Sequence, residues 1–305
     1  MAVLGVDIGG TKIATGEVDA DAKISGASEL PTQAEQGFIV SLSQVYKSIE
    51  QKLHRHIEAI GVCAPGPLNP RRGIVLNPPN LPGWRNIPLA ELIQARFQVP
   101  CRLENDANAA GLAEALFGAG RGHANVLYVT ISTGIGTGII IDGKIYHGKN
   151  GAAAEGGHVS IDFASSSVCN CGVRGCIETL ASGTAIARRA IELLPEYPHS
   201  ILREPIACEA VGAAVAAGDQ LATRVLDEAC EKLSAWLGSL LSLLDPDVIV
   251  IGGGVSRIGE PLFERLRRLT PGRTINQFAA ATPIIPAALS RDVGILGAAS
   301  VVLQD

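Results

Sequence analysis

No Lys/Arg-rich stretch interrupts this 305-residue chain, whose 25 basic and 30 acidic residues leave a formal net charge of −5. The electrostatic footprint of a nucleic-acid binder is therefore missing, and a small solute is the expected partner. Apolar runs such as DVIVIGGG and IGTGIIIDG fall far short of the ~20 residues that cross a bilayer, so no membrane partner is expected. The opening MAVLGVDIGG lacks a basic region ahead of an apolar stretch and a small-residue cleavage site, which predicts a cytoplasmic protein.

Two familiar nucleotide motifs are lacking as well. A P-loop needs Ser or Thr after Gly-Lys at the start of a helix. Gly138 to Lys144 and Gly143 to Lys149 have the spacing, but Ile145 and Asn150 follow, in or after an expected hairpin. A Rossmann G-x-G-x-x-G opening a helix is also missing, because Gly9-Gly10 leads into a second strand, and this disfavours a dinucleotide oxidoreductase.

Seven cysteines, an odd number, do not suggest a disulfide framework in a reducing cytosol. Cys63, Cys101, Cys208 and Cys230 stand singly in apolar or helical surroundings and read as small buried hydrophobes. The stretch SVCNCGVRGCIETL differs, with Cys169, Cys171 and Cys176 close together among glycines. Clustered thiols of this kind suit a metal, and Cys169-Asn-Cys171 is too short for the usual C-x-x-C redox pair.

What is present is apolar substance, 47% of the residues, enough for two lobes or one large α/β unit. Residues 3–8 and 12–18 read as strands around a glycine turn, and Phe38, Leu42, Val45, Ile49 and Leu53 predict a helix over 37–55. IEAIGVCAP reads as a strand, GPLNPRRGIVLNPPNLPGW as an irregular loop with a short hairpin, and 88–97 as a helix. CRLEN reads as a strand ending in an acid, with Asp106 at the N-cap position of an alanine-rich helix. The segment 125–146 repeats the strand–glycine turn–strand device of the N-terminus, which suggests an internal duplication. Helices follow from about 177, one of them over 222–244 with Val225, Ala229, Leu233, Trp236, Leu240 and Leu244 marking one face. DVIVIGGGVS is a buried strand ending in glycines, and DVGILGAASVVL a small-residue helix.

Glycine turns let exposed backbone N–H groups approach a phosphate. Three candidates each follow an apolar strand: Gly9-Gly10-Thr11-Lys12, the Thr133–Gly138 stretch with Gly134, Gly136 and Thr137, and Gly252-Gly253-Gly254. Asp7 closes the first strand beside one of them, either to hold Mg²⁺ and its waters or only to bond the turn.

The segments DIGGTK at 7–12, ENDANAA at 104–110, TGIGTG at 133–138, EGGH at 155–158, CNCGVRGCIE at 169–178 and IGGGV at 251–255 run in order along the chain. Together they resemble the ROK sugar kinases of the actin-like, hexokinase-like ATPase superfamily, over essentially the whole length. Thr137 departs from the pattern where a third consecutive glycine is frequent, and so does Ser132. Both are small enough to preserve the turn.

The resemblance implies an α/β, two-lobed ribonuclease-H-like (actin-like ATPase) fold closing on ATP and a sugar in an interlobe cleft. Residues 1–120 with 290–305 would form the N-terminal lobe and 121–289 the C-terminal lobe with a zinc knuckle. The family pattern adds His158 to Cys169, Cys171 and Cys176 as ligands of a structural Zn²⁺ with no open position. Bound through one ring nitrogen, His158 would present the other to a sugar hydroxyl. Asp106 would be the base that accepts the sugar hydroxyl proton, against the alternative of a helix N-cap. Gly66, Asn80, Asn105, Gly134, Glu155 and Glu178 would join His158 around the sugar. The remaining histidines, His54, His56, His123, His147 and His199, read as surface or packing residues.

Asn80 lies in PPNLPGW, close to a segment of the family's glucokinases, which favours glucose phosphorylated on its 6-hydroxyl. N-acetylmannosamine and N-acetylglucosamine kinases share most of these positions. ATP with Mg²⁺ and a homodimer or dimer of dimers complete the expectation. A sugar-responsive regulator with the same core would need a winged-helix segment ahead of the first strand, which here begins at residue 3.

Overall fold

A computed structural model describes residues 2–54 and 56–303. Met1, Arg55, Gln304 and Asp305, which end the expected lobe and helix ranges, lie outside the described residues. The chain divides into two compact units, the first comprising 1–122, 138–154 and 288–305, the second 123–137 and 155–287.

In unit 1, apolar residues build β1 (Ala2–Ile8), and the Gly9-Gly10 turn returns the chain as β2 (Lys12–Asp19), antiparallel, with Ile8 opposite Ile13. β3 (Ile24–Pro31) extends the antiparallel run. The helix expected over 37–55 is α1 (Phe38–Glu50), followed by β4 (Ile57–Ala64), which lies parallel to β1. The proline-rich loop holds the short hairpin β5 (Leu68–Asn69) and β6 (Ile74–Val75) and leads to α2 (Leu89–Phe97). β7 (Cys101–Asn105) joins β4 in parallel and runs directly into α3 (Asp106–Phe117), completing a sheet of order β3-β2-β1-β4-β7.

The pattern then recurs with β8 (Val126–Ile131), β9 (Ile135–Ile141) and β10 (Lys144–Ile145). Helices α4 (Ile177–Ala181), α5 (Gly183–Leu193), α6 (Cys208–Ala216) and α7 (Gln220–Leu244) precede β11 (Val248–Gly252). Then come α8 (Glu260–Leu269), β12 (Ile284–Pro286) and α9 (Val293–Leu303). The second sheet has the order β10-β9-β8-β11-β12, with β11 parallel to both β8 and β12. Both sheets thus follow one plan, three antiparallel strands followed across the sheet by two that run parallel to the first. This is the ribonuclease-H-like α/β arrangement, and the duplication shows in the topology as it does in the sequence.

Residues 138–154, expected in the second lobe, belong to unit 1. The Arg71 guanidinium donates to Gly148 O at 2.8 Å and to Lys149 O at 3.0 Å, anchoring that segment there. On α7 the buried face includes Val225, Ala229, Leu233 and Trp236 as expected, then drifts to Leu237 and Leu241, because a 3.6-residue turn does not hold one line over so long a helix. No helix among the described residues is long and apolar enough to cross a membrane.

The small-residue helix α9 packs on the first sheet at backbone distance. A Cβ on Gly5 would stand 2.2 Å from Ile295 O, and one on Gly61 1.8 Å from Ala298 O, so β1 and β4 need glycine where the helix crosses them. The connection into α9 is held by Glu114, fully buried near the end of α3. Its Oε2 accepts from Ala119 N at 2.8 Å and Ala288 N at 3.1 Å, and its Oε1 from Leu289 N at 2.8 Å. Glu114→Ala leaves these backbone donors unsatisfied and is expected to cost roughly 2–4 kcal/mol of stability. Chemical unfolding checks this: a midpoint within error of the parent would show that the carboxylate does not secure the connection.

Candidate active site

Parallel strands β1, β4 and β7 end level with one another, Asp7 pairing with Cys63 and Ala64 with Asn105. The carboxyl ends of parallel strands are where α/β sheets hold ligands, and Asp7, Asn105 and Asp106 all lie there, with Gly66 just beyond β4. The N-cap expected at Asp106 belongs instead to Asn105. Its backbone is extended, and its Oδ1 accepts from Ala107 N at 2.9 Å and Asn108 N at 3.2 Å. Asp106 is therefore the first residue of the helix, exposed to solvent, with Oδ1 also accepting from Ala107 N at 2.8 Å.

Asp7 is surrounded differently. Burial raises its pKa above the ordinary carboxylate value, opposed in part by the Cys63 thiol, which donates to Oδ1 at 3.3 Å, and by the Lys12 charge. Burial, and then the charges of Asp7 and Asp106, push the Cys63 thiol well above its usual range. That inertness fits its reading as a buried small residue. In the turn after β1, Gly9 N donates to Lys12 O at 2.9 Å and Thr32 Oγ1 to Gly9 O at 2.7 Å. The Lys12 ammonium pairs with Glu29 on β3 at 2.5 Å, both ends exposed.

Asn80 sits on a loop whose neighbours are pinned. Leu81 and Trp84 are buried, Trp84 Nε1 donates to Ser41 Oγ at 2.7 Å, and its ring meets Phe38 edge to face. The Asn80 carbonyl then passes 2.8 Å from where a Cβ on Gly10 would be, so the turn and the loop fit only with glycine there.

Unit 2 holds a second constellation. The turn Ser132-Thr133-Gly134 is clamped by the start of α5, with Gly183 N donating to Ser132 O at 2.7 Å and Thr184 Oγ1 to Thr133 O at 2.9 Å. Glu178, on α4, accepts from Ile135 N at 2.9 Å through Oε2, an oxygen that would lie 2.4 Å from a Cβ on Gly134. Gly136, Thr137 and Gly138, expected in the turn, lie in β9, because Ile135 already begins the strand. The buried Thr137 hydroxyl accepts from Gly156 N at 3.1 Å, so this departure from the family pattern gains a bond within the EGGH segment. Gly252 ends β11, Gly253 has φ +85°, and Gly254 precedes a short 3₁₀ turn.

The four donors of His158, Cys169, Cys171 and Cys176 come within 4.8 Å of one another. Cys171 and Cys176 Sγ stand 3.7 Å apart, and Cys169 Sγ lies 3.4 Å from His158 Nδ1. A tetrahedral ion with metal–sulfur bonds of about 2.3 Å and a metal–nitrogen bond of about 2.0 Å implies edges of about 3.8 and 3.5 Å, so this donor set fits a thiolate- and imidazole-bound metal. Two glycines close the loop around it. Gly172 and Gly175 have φ of +88° and +67°, and a Cβ on Gly175 would strike Asp162 O at 1.7 Å. Burial, then the neighbouring thiols, push Cys176 up to about 12, a cost that a bound cation offsets. His158 turns Nδ1 to the cluster and Nε2 towards Glu155 Oε2 at 3.9 Å, while the Cys169 thiol lies 3.8 Å from Glu178 Oε1.

A family model described as the ROK family matches residues 3–305. The chain belongs to the ROK family. A glucokinase from Thermotoga maritima is 35% identical over 99% of this chain and 97% of its own. An N-acetylmannosamine kinase from Yersinia pestis is 31% identical over 97% of this chain and 96% of its own. The solved structure of a ROK family glucokinase from Streptomyces griseus in complex with glucose and AMPPNP is 33% identical, covers all of both chains and superposes with a TM-score of 0.86.

Motif reading overlooked several partners that hold these residues: Glu104 beneath Asp106, His147, which it placed among surface or packing residues, and Gly183 and Thr184 on the second turn. Only Glu104 lies within a recognised motif, as the first residue of ENDANAA, where nothing local says that its side chain is buried; the others carry no local signal.

The raised pKa of Asp7 carries a signed consequence for stability. A carboxyl whose folded value exceeds its unfolded value of about 3.9 favours the fold only below that pH, and weakens it as pH rises through the folded value. Asp7→Asn should therefore raise the melting temperature of the ligand-free chain at pH 7, with the gain disappearing near pH 3.5. A gain of equal size at both pH values would contradict this origin.

Proposed function

We propose that this ROK family member is an ATP-dependent sugar kinase that phosphorylates glucose on its 6-hydroxyl. The observation that carries the reading is Asp106: an exposed carboxylate at the carboxyl ends of parallel strands, on a helix whose cap is already made by Asn105. As the sugar oxygen attacks the γ-phosphorus, the β–γ bridging bond breaks and ADP leaves, while Asp106 accepts the hydroxyl proton. The names of the relatives support glucose.

In this reading Gly66, Asn80 and Asn105 of unit 1 and Gly134, Glu155, His158 and Glu178 of unit 2 bind the sugar. The carboxylates accept from its hydroxyls and fix the orientation of the attacking oxygen. Gly9, Gly10, Thr11, Lys12, Thr133, Gly134, Gly136, Thr137, Gly138, Gly252, Gly253 and Gly254 serve the nucleotide, mainly through glycine backbone that lets phosphate approach. Asp7 would hold Mg²⁺, which when bound would supply positive charge against the phosphates. His158, Cys169, Cys171 and Cys176 would hold a structural Zn²⁺, and that ligation would stiffen the wall bearing Glu178 and fix the His158 ring.

Location in a reducing cytoplasm agrees with seven unpaired cysteines, and a homodimer or dimer of dimers with the family. A second reading, N-acetylmannosamine or N-acetylglucosamine phosphorylation, draws on the N-acetylmannosamine kinase relative.

ADP release measured across glucose, mannose, N-acetylglucosamine and N-acetylmannosamine should be fastest with glucose. Asp106→Asn should keep glucose binding while kcat falls by at least ~10². Near-normal turnover in that variant would sink the base assignment, and preference for an N-acetylated sugar would favour the second reading. Purified chain should carry zinc, and stripping it or substituting Cys171→Ser should lower melting temperature and glucose affinity together. Unchanged melting with zinc absent would remove the structural role.

A further inference from the structure

Glu104, the residue before Asn105 on β7, is only 2% exposed. Its Oε1 accepts from Asn105 N at 2.8 Å and from Asn108 Nδ2 at 3.1 Å, which grips the chain on both sides of Asp106. Its Oε2 meets His147 Nε2 at 2.6 Å. His147 itself stands on a fixed support: Tyr146 N donates to Ile139 O at 2.8 Å, and Arg71 holds the carbonyls of Gly148 and Lys149.

A buried carboxylate is costly unless strong donors satisfy it. The start of α3 does not require this one, because Asn105 already satisfies the first free N–H groups of the helix. What Glu104 adds is a rigid, charge-assisted bracket running from the segment after β10 to the backbone that carries Asp106. The bracket lies wholly within unit 1.

We infer that Glu104 and His147 form a positioning pair for Asp106: the imidazole N–H orients the buried carboxylate, and the carboxylate fixes the residues flanking the base. This rests on the reading of Asp106 as the base. The pair would act on the chemical step rather than on substrate binding, since neither residue belongs to the proposed sugar or nucleotide sets. Both line a cavity of about 1130 Å³, and the His147 side chain is 27% exposed, so a small solute can reach the space the imidazole occupies.

The test is steady-state kinetics on His147→Ala and His147→Gln in the full chain, with thermal melts alongside. His147→Ala should lower kcat by about ten- to a hundredfold, the scale of a small misplacement of a catalytic group, and leave KM for sugar and ATP within about twofold. Added imidazole should restore much of kcat. His147→Gln, which keeps an N–H donor and a similar volume, should retain most of it and serves if the alanine variant fails to fold. In an Asp106→Asn background His147→Ala should cause no further loss, because the pair acts only through the base. An unchanged kcat, a rise in KM alone, failure of both imidazole and Gln to rescue, or an independent loss in the Asp106→Asn background would overturn the pair. Substantial turnover by Asp106→Asn alone would instead count against the base itself, so the two failures are distinct.

Discussion

At the junction of β7 and α3, three consecutive polar side chains are sent to three different environments, and the arrangement of polar groups at the carboxyl end of the first sheet depends on that separation. Glu104 points into the core, Asn105 turns back to satisfy helix N–H groups, and Asp106 faces solvent. A strand alternates its side chains between faces, and a helix starting at once breaks the alternation. An acid can then be exposed beside one that is buried. The inward carboxylate accepts fixed donors and the outward one faces solvent.

The second unit achieves rigidity by other means. Its turn at Ser132-Thr133-Gly134 is short and polar, and is held by hydrogen bonds from α5 and by the Glu178 carboxylate. Glu178 in turn lies beside the cysteine–histidine cluster, whose four donors gather from residues 158–176, a segment where regular secondary structure is scarce. A metal held by these four donors would organise the segment, because ligation replaces the apolar core that so short a stretch cannot build. The departure at Thr137 follows the same economy, with a hydroxyl satisfying the Gly156 N–H.

Much of this was legible from residue order. Strand, turn and helix positions followed from apolar spacing, and the duplicated strand–turn–strand device announced two sheets of matching plan. The cysteine cluster was recognisable because its members are close in sequence and glycine-spaced. The N-cap at Asn105 was not, because Asp and Asn both favour that position and stand next to each other. Nor was the length of the glycine turn after β8, since Gly136 and Gly138 lie inside a strand where their backbone geometry is ordinary.

The sequence by itself determined the order of elements and the clustering of three cysteines, because each is written in local spacing, while resemblance to the family pointed to the two-lobed fold, to His158 beside the thiols and to Asp106 as the candidate base. Tertiary structure alone decided which groups support them. His147 meets Glu104 across 43 positions, and Glu114 reaches the backbone of Leu289 across 175. Such partners are chosen by where sheet and helix packing brings distant backbone together, and a carboxylate buried by that packing must take whichever donors arrive.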